Sequence, residues 1–387
     1  MALPLSYNVR NLRIRWQVTL LAIFGIALVV TVFVFLVAMS SGFRIALRAT
    51  GRADNALIVQ KGSSSELTSG ISKQDAALML VDSRIARGDD GQPMTSGEIL
   101  VVASLKRKAD GVETNLSVRG VPARAFQVRG GIHFVDGRAF TPGLDEVVVG
   151  QRAAERFGLA VGSAVKIQHH DWKVVGIFAS EGSGFESEIW GDIDAMAEPL
   201  RRTGGYEVIV VRLKDPTTLD AFKKTFENDP QLHVEIHQER AYYEDQAGPV
   251  ANALLGLALF VSVVMGIGAV FGAMNTMYAI VAARTREIGT LRALGFARRS
   301  VLFSFVTEAV FLALVGGILG CLLALPANGV TAATNGANFS ELAFAFRITP
   351  PALIAGLVFA VLMGFAGGLL PAVRASRLPI TSALREA

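Results

Sequence analysis

Cysteine is nearly absent from this chain: the only one, Cys321, lies inside a long apolar stretch. The polar part of the sequence therefore cannot be held together by disulfide bonds. A segment of about 200 residues can be stabilised by its own hydrophobic core, so this absence does not argue against a folded polar domain.

Motifs for catalysis and nucleotide binding are also missing. There is no G-x-x-x-x-G-K-[ST] phosphate loop, no G-x-S-x-G nucleophile motif and no H-E-x-x-H zinc motif. "HVEIH" (233–237), as a strand, would place two histidines and a carboxylate on one face, which suits Zn²⁺ or Fe²⁺. A solvated strand face is the simpler explanation, as a polar turn is for "HHD" (169–171). We therefore predict no catalytic residue, no metal site and no cofactor bound by this chain.

Charged residues are missing from four long stretches: 16–43, 246–283, 309–340 and 348–373. Each exceeds the length of about 20 apolar residues that a helix needs to cross a bilayer. The sequence therefore predicts four transmembrane helices. The first apolar stretch is too long for the core of a signal peptide, so we expect it to be a retained anchor.

Arginines collect beside these stretches, and their placement predicts the orientation of the chain. Besides those of the segment 283–300, arginines lie before the first stretch and after the fourth: Arg10, Arg13, Arg15, Arg374, Arg377 and Arg385. Arg44, Arg48 and Arg52 follow the first stretch and conflict mildly with this pattern, but a long domain is translocated largely regardless of its charge. The positive-inside rule then places both termini and residues 283–300 in the cytoplasm. We expect a multi-pass protein of the cell inner membrane, and a net charge of +4 requires no nucleic-acid partner.

The predicted organisation is a four-helix membrane protein with a large extracytoplasmic α+β domain between helices 1 and 2. The boundaries are an amphipathic N-terminal helix (1–15), helix 1 (16–43), the outer domain with stalk extensions (44–248), helix 2 (249–282), a cytoplasmic helix (283–300), helix 3 (301–325), an extracytoplasmic loop (326–349), helix 4 (350–371) and a cytoplasmic tail (372–387). The alternative for residues 1–15 is that they are simply the charged start of helix 1.

Alternation of apolar residues and β-branched content predict six strands in the outer domain. They lie at 55–60, 98–106, 145–150, 163–168, 171–178 and 206–213, and helix-like segments lie at 72–82, 151–158 and 216–229. The apolar stretch 246–283 is too long for one bilayer crossing, because 38 helical residues would extend about 57 Å. We expect a helix that starts outside the membrane as part of a stalk; the alternative is a loop around Gly248 and Pro249 followed by an ordinary span.

Two further features of the spans have both a functional and a simpler explanation. Glycines four residues apart can let helices approach closely, or can reflect the abundance of glycine in membrane helices. These pairs are Gly268 and Gly272, Gly316 and Gly320, and Gly364 and Gly368. Glu308 lies about two turns into the third span, where a carboxylate is costly and by default functional. We predict instead that it pairs with an arginine of residues 283–300, such as Arg298 or Arg299.

The segment "ARTREIGTLRALGFARRS" (283–300) contains five arginines and lies between two predicted spans. Ile288, Leu291 and Leu294 recur every three residues, Glu287 borders them, and Gly295 suits the end of a helix. We predict a short amphipathic helix. Anionic lipids could hold such a helix at the membrane surface, but they give no reason for a glutamate beside the apolar residues. A docked protein with a basic residue does.

This segment and its neighbours resemble the MacB/FtsX family of ABC-transporter permeases, whose coupling helix has the core R-x-x-E-I-[GA]-x-[LM]-[RK]-[AS]-[LIV]-G. The matching residues are Arg284, Glu287, Ile288, Gly289, Leu291, Arg292, Ala293, Leu294 and Gly295. The first span with its arginines, the C-terminal stretch "LPAVRASRLPITSALREA" and the strand pair at "GLAVGSAVKIQHHDWKVVGIF" also look like this family.

The resemblance implies a dimer of four-span subunits, with an identical or paralogous second copy. It also implies a separate ATPase, carrying ATP and Mg²⁺, that docks on the coupling helix and drives motion of the outer domains. The function expected first is export with a periplasmic adaptor and an outer-membrane channel. Lipoprotein release and regulation of a cell-wall hydrolase are the alternatives, and the substrate is left open.

Overall fold

The computed structural model describes residues 16–335 and 340–379. The predicted amphipathic helix at 1–15 and the last part of the predicted tail lie outside the described residues. The chain divides into two compact units. The first unit comprises Met1–Ser41, Asn252–Val330 and Phe346–Ala387. The second comprises Gly42–Ala251 and Thr331–Ala345, and we call it the outer unit because it contains the predicted outer domain.

Four described helices are long and apolar enough to cross a membrane. They are α1 (Trp16–Arg48), α7 (Glu239–Ala283), α9 (Arg298–Ala324) and α10 (Pro350–Ser376). Each overlaps one of the stretches without charge. Helix α10 begins with prolines, which suit the first turn of a helix because no N–H is needed there. The predicted class, four apolar helices with a large domain between the first two, is confirmed.

Helix α7 is continuous over 45 residues, which corresponds to about 68 Å at the usual helical rise. Gly248 and Pro249 both lie inside it, so the alternative of a loop at this point is wrong. The role of its N-terminal part as a stalk stays a prediction.

A ten-stranded mixed sheet forms the centre of the second unit. Its strands are β1 (Asn55–Gln60), β3 (Thr95–Lys106), β4 (Glu113–Val121), β5 (His133–Gly137), β6 (Glu146–Gly150), β7 (Ala164–Ile167), β8 (His170–Ala179), β9 (Glu188–Asp192), β11 (Val208–Arg212) and β12 (Val234–Gln238). Their order in the sheet is β12-β1-β11-β3-β4-β9-β6-β8-β5, with β7 paired to β8. All six predicted strands are present. Trp172 and Trp190 are fully buried in the cores against this sheet.

Short helices and two small two-stranded sheets also belong to this unit. The helices are α2 (Lys73–Met79), α3 (Ala125–Arg129), α4 (Gln151–Phe157), α5 (Ile193–Ala197) and α6 (Leu219–Glu227), and the paired strands are β2 (Ile71–Ser72) with β10 (Gly205–Tyr206), and β13 (Thr331–Asn335) with β14 (Glu341–Ala345). The last pair lies within the segment 326–349, which was predicted as a loop. It belongs to the outer unit although it follows the third membrane helix in the chain.

A buried network of charged side chains lies beneath the sheet. The Arg119 guanidinium donates to Glu66 at 2.7 Å, to Glu98 at 2.9 Å and, through two nitrogens, to Glu188 at 2.8 and 2.9 Å. Arg129 also donates to Glu98. Burial alone would raise the pKa of Glu98, but Arg129 and Arg119 outweigh it and lower that pKa. Glu98 therefore stays ionised between the two arginines.

The second arginine connects this network to the first residue of the long helix. Arg129 donates to Glu239, and the Glu239 carboxylate also accepts from the Arg52 amide and from Asn55, both at 2.8 Å. Negative charge is favoured at a helix N-terminus, where backbone N–H groups lack partners. The start of α7 is thus fixed to the outer domain by a fully buried carboxylate.

Candidate functional site

The charged segment between the second and third membrane helices folds as helix α8 (Thr285–Ala293). It stops where predicted, because Gly295 adopts φ = +94°, a left-handed conformation that favours glycine. The Leu294 amide is bonded to the Thr290 carbonyl and the Gly295 amide to the Arg292 carbonyl, which closes the last turn.

One face of α8 is buried against the helices of its own unit. Arg284, Ile288 and Gly289 are buried, and Ile288 is only 2% exposed. The Arg284 Nη1 lies 3.1 Å from the Glu308 carboxylate, and its guanidinium lies 5.7 Å from the centre of the Phe305 ring. This ion pair explains why α9 can carry a buried acid.

The pairing of Glu308 with the charged segment was predicted, but the suggested partners were wrong. Arg298 and Arg299 are exposed at the start of α9. They precede Glu308 by nine or ten residues, which is about 14 Å along a helix, beyond the reach of an ion pair. Arg284, the residue immediately before α8, is the arginine that reaches the Glu308 carboxylate.

A further contact fixes the far end of α8. Arg292 Nη1 donates to the Ser376 carbonyl at 2.7 Å, at the C-terminus of α10. The last carbonyls of a helix lack intrahelical donors and carry partial negative charge, so a cation is favourable there. Helix α8 is therefore held by a buried ion pair at its start, an apolar contact in its middle and an arginine near its end.

The opposite face of α8 is exposed. It presents Arg286, Glu287, Thr290 and Leu294, and Leu294 is 73% exposed. The predicted apolar stripe is divided, because three residues rotate a helix by about 300° rather than 360°. The side chains of Ile288 and Leu294, which are six residues apart, therefore point about 120° apart around the helix axis. Ile288 faces inward, Leu294 faces outward and Leu291 is intermediate.

Two of the three predicted glycine pairs lie at close helix contacts. A Cβ added at Gly316 or Gly320 would lie 2.9 or 2.5 Å from a backbone oxygen of α1. Gly364 and Gly368 lie against alanines of α9, where an added Cβ would approach another Cβ to 2.4 Å. The third pair, Gly268 and Gly272 on α7, meets no atom of the described residues within 4 Å of an added Cβ.

The histidine stretches do not converge on a metal site in the described ranges, where no group of three His, Cys, Asp or Glu is arranged to hold a metal ion. In the strand candidate, His237 lies 3.3 Å from Glu235. In the other, His170 lies 3.0 Å from Asp145.

Comparison with known proteins identifies the family. Residues 19–229 match the MacB-like periplasmic core domain, and residues 259–380 match the FtsX-like permease C-terminal domain. The chain is a MacB/FtsX-type ABC transporter permease. The first match covers the first membrane helix and most of the sheet, and the second covers α8, α9 and α10.

The permease is similar along most of its length to larger curated proteins. It is 28% identical over 402 residues to the macrolide export ATP-binding/permease protein MacB of Burkholderia lata, covering 95% of this chain and 55% of that protein. It is 29% identical over 278 residues to the pyoverdine export ATP-binding/permease protein PvdT of Pseudomonas fluorescens, covering 65% of this chain and 40% of that protein. The chain thus spans about half the length of the curated relatives that it matches.

Among solved structures, the periplasmic region of MacB from Actinobacillus actinomycetemcomitans covers 51% of this chain and 94% of its own, with 12% identity and a TM-score of 0.39. The extracellular domain of the transporter YknZ from Gram-positive bacteria covers 47% of this chain and 99% of its own, with 14% identity and a TM-score of 0.36.

Proposed function

We propose that this permease couples ATP hydrolysis by a separately encoded ATPase to export, with α8 as the helix on which the ATPase docks. The observation that carries the proposal is the two-sided character of α8. Its buried face is fixed by Arg284 and Arg292, whereas Glu287, Thr290 and Leu294 face outward. A helix held in this way can transmit a push to α9 and α10 without first deforming.

Export is favoured as the class of transport because curated relatives are named for macrolide and pyoverdine export. A periplasmic adaptor and an outer-membrane channel belong to this proposal. So does a dimer with a second copy or a paralogue, and the exposed apolar side chains along α7, such as Phe260 and Phe271, offer it a surface.

The proposal expects ATP hydrolysis to require the partner. The purified 387-residue chain should hydrolyse no ATP above background, because its sequence contains no phosphate-binding loop motif. Adding the ATPase should give activity that co-elutes with the complex on size exclusion. Hydrolysis that follows the isolated chain through every purification step would contradict the separate ATPase.

The proposed orientation has α8 in the cytoplasm and residues 44–248 outside, as the arginine distribution indicates. Cysteines introduced by Ser64→Cys and Ala297→Cys, each in a Cys321→Ala background, provide the test, since both positions are exposed. An impermeant thiol reagent added to spheroplasts should label the cysteine at 64 only. Labelling of the cysteine at 297 alone would invert the topology.

A further inference from the structure

A cleft of about 490 Å³ opens in the outer unit where three elements meet. The turn that follows β3 contributes Arg107 and Lys108, helix α4 contributes Arg152 and Arg156, and the β13–β14 hairpin forms the facing wall. The remaining lining residues are Ala109, Glu155, Thr331, Ala332 and Ala343. We call this space the basic cleft, because four of its side chains are cationic and one is acidic.

Two cations of the basic cleft have carboxylate partners outside its lining: Arg107 Nη2 donates to Asp110 at 2.7 Å, and Arg152 Nε lies 3.1 Å from Glu186. Other groups of the cleft have no such partner. The Lys108 side chain is exposed, and among the described residues no carboxylate lies within ion-pair distance of its ammonium group. The Nε of Arg107 is buried and has no hydrogen-bond acceptor there. A buried donor without an acceptor is costly, so an anion that reached this position would be favoured.

A carboxylate of the protein already shows how the arginines recognise an anion. Both oxygens of Glu341, on β14, bind Arg156: one accepts from Nε at 2.7 Å and the other from Nη2. The oxygen that binds Nη2, Oε1, also lies 3.8 Å from Arg107 Nη1. Two parallel bonds from one guanidinium are the geometry by which arginine binds carboxylates and phosphates. Glu341 therefore occupies the place of an anionic ligand.

The hairpin does not depend on this ion pair alone. Arg152 donates to the Ala343 carbonyl at 2.7 Å, and Ser187 Oγ accepts from the Ala343 amide at 3.0 Å. The hydroxyl groups of Ser117 and Ser340 form a hydrogen bond of 2.8 Å. An anion could thus displace the Glu341 carboxylate while the hairpin keeps its other contacts.

We propose that the basic cleft binds a phosphate monoester or diester carried by an organic group. Arg107, Lys108 and Arg156 would hold the phosphate, and Glu341 would compete with it. The volume lies within the range of small-molecule sites and exceeds the need of a bare phosphate. The alanines and the threonine methyl group of the lining suit the organic part. The source is either a lipid headgroup or a water-soluble organic phosphate.

Calorimetric titration of the full chain in nanodiscs tests this proposal, with glycerol phosphate as the probe. Wild type in phosphatidylcholine nanodiscs should bind it saturably, and binding should weaken between about 50 and 300 mM salt because the interaction is ionic. Glu341→Gln should tighten binding about tenfold, because the competing charge is removed. Lys108→Ala should weaken it about threefold to fivefold, and Lys224→Ala, an exposed lysine of α6, should have no effect.

A second set of nanodiscs containing about one third phosphatidylglycerol distinguishes the sources. If the lipid headgroup occupies the basic cleft, the apparent dissociation constant for glycerol phosphate rises severalfold in these nanodiscs, and Lys108→Ala reduces that rise. If the source is water-soluble, the constant is the same in both lipids. Either result supports the site.

The proposal is overturned if neither wild type nor Glu341→Gln binds the probe, or if Lys108→Ala and Lys224→Ala behave alike. Thermal unfolding of each variant shows whether the outer unit is intact, so a loss of fold is not taken for a loss of binding. The inference does not depend on ATPase docking, because every group that it uses lies in the outer unit.

Discussion

Replacing Glu287 by lysine is expected to weaken binding of the ATPase by about 30-fold or more. The exposed face of α8 has one carboxylate, Glu287, beside Leu294. The Glu287 carboxylate lies 3.5 Å from Arg284 Nε and is otherwise exposed. If Leu294 enters an apolar groove of the partner, Glu287 becomes partly desolvated at the rim of that groove, where a basic residue of the ATPase would pair with it as well. Loss of one member of such a pair costs about 2–5 kcal/mol, because the other charge is left unpaired. At about 1.4 kcal/mol per factor of ten, the lower limit is already close to 30-fold.

Affinity can be measured by flowing the ATPase over immobilised permease in nanodiscs. Arg298→Ala is the matched control, because Arg298 is charged, exposed and close in sequence but lies at the start of α9. It should change affinity by less than about threefold, the effect of an exposed charge at the rim. If α8 only lies on anionic lipid, Glu287→Lys should leave ATPase binding unchanged, since an added lysine strengthens contact with headgroups.

Replacing Arg119 by methionine is expected to lower the free energy of unfolding of the outer unit by about 3–5 kcal/mol. Arg119 is fully buried and binds Glu66, Glu98 and Glu188. Methionine fills a similar volume, so the main loss is electrostatic: three buried carboxylates lose the cation that they share. Removing one partner of a buried ion pair lowers stability by much more than the intact pair contributes to it, because the remaining charges are desolvated without compensation.

Tryptophan fluorescence during denaturant unfolding of the full chain reports this loss. Two of the three tryptophans, Trp172 and Trp190, are buried in the outer unit, and Trp190 Nε1 donates to Glu188 in the network. Arg48→Met is the control, because the ion pair of Arg48 with Glu244 is exposed on both sides and its loss should leave the midpoint nearly unchanged. An equal midpoint for Arg119→Met would mean that the network contributes nothing.

The sequence predicts features that depend on long runs or on local alternation. The four spans follow from the lack of charge over at least 26 residues each, and strands such as β1 and β11 from β-branched alternation. The end of α8 follows from one residue, Gly295. Each of these signals lies within a short stretch of chain, so no tertiary information is needed.

Features made by distant residues could not be predicted in this way. Glu66, Glu98 and Arg119 each look like ordinary surface charges, because nothing in their local sequence shows that the fold brings them together beneath the sheet. The partner of Glu308 required the packing of α8 on α9. Spacing by three residues suggested one apolar stripe on α8, but the 100° rotation per residue separates Ile288 from Leu294.

Photo-crosslinking from α8 tests the central claim most directly. A photoreactive amino acid is placed at Leu294, at Ile288 or at Phe303, which is exposed on α9, and the permease is irradiated in the complex with its ATPase. We expect the ATPase to be crosslinked from position 294 and not from position 288, which faces inward, or from position 303, which lies in the third membrane span. An assembled, ATP-hydrolysing complex that gives no crosslink from position 294, or an equal crosslink from position 303, would contradict the account.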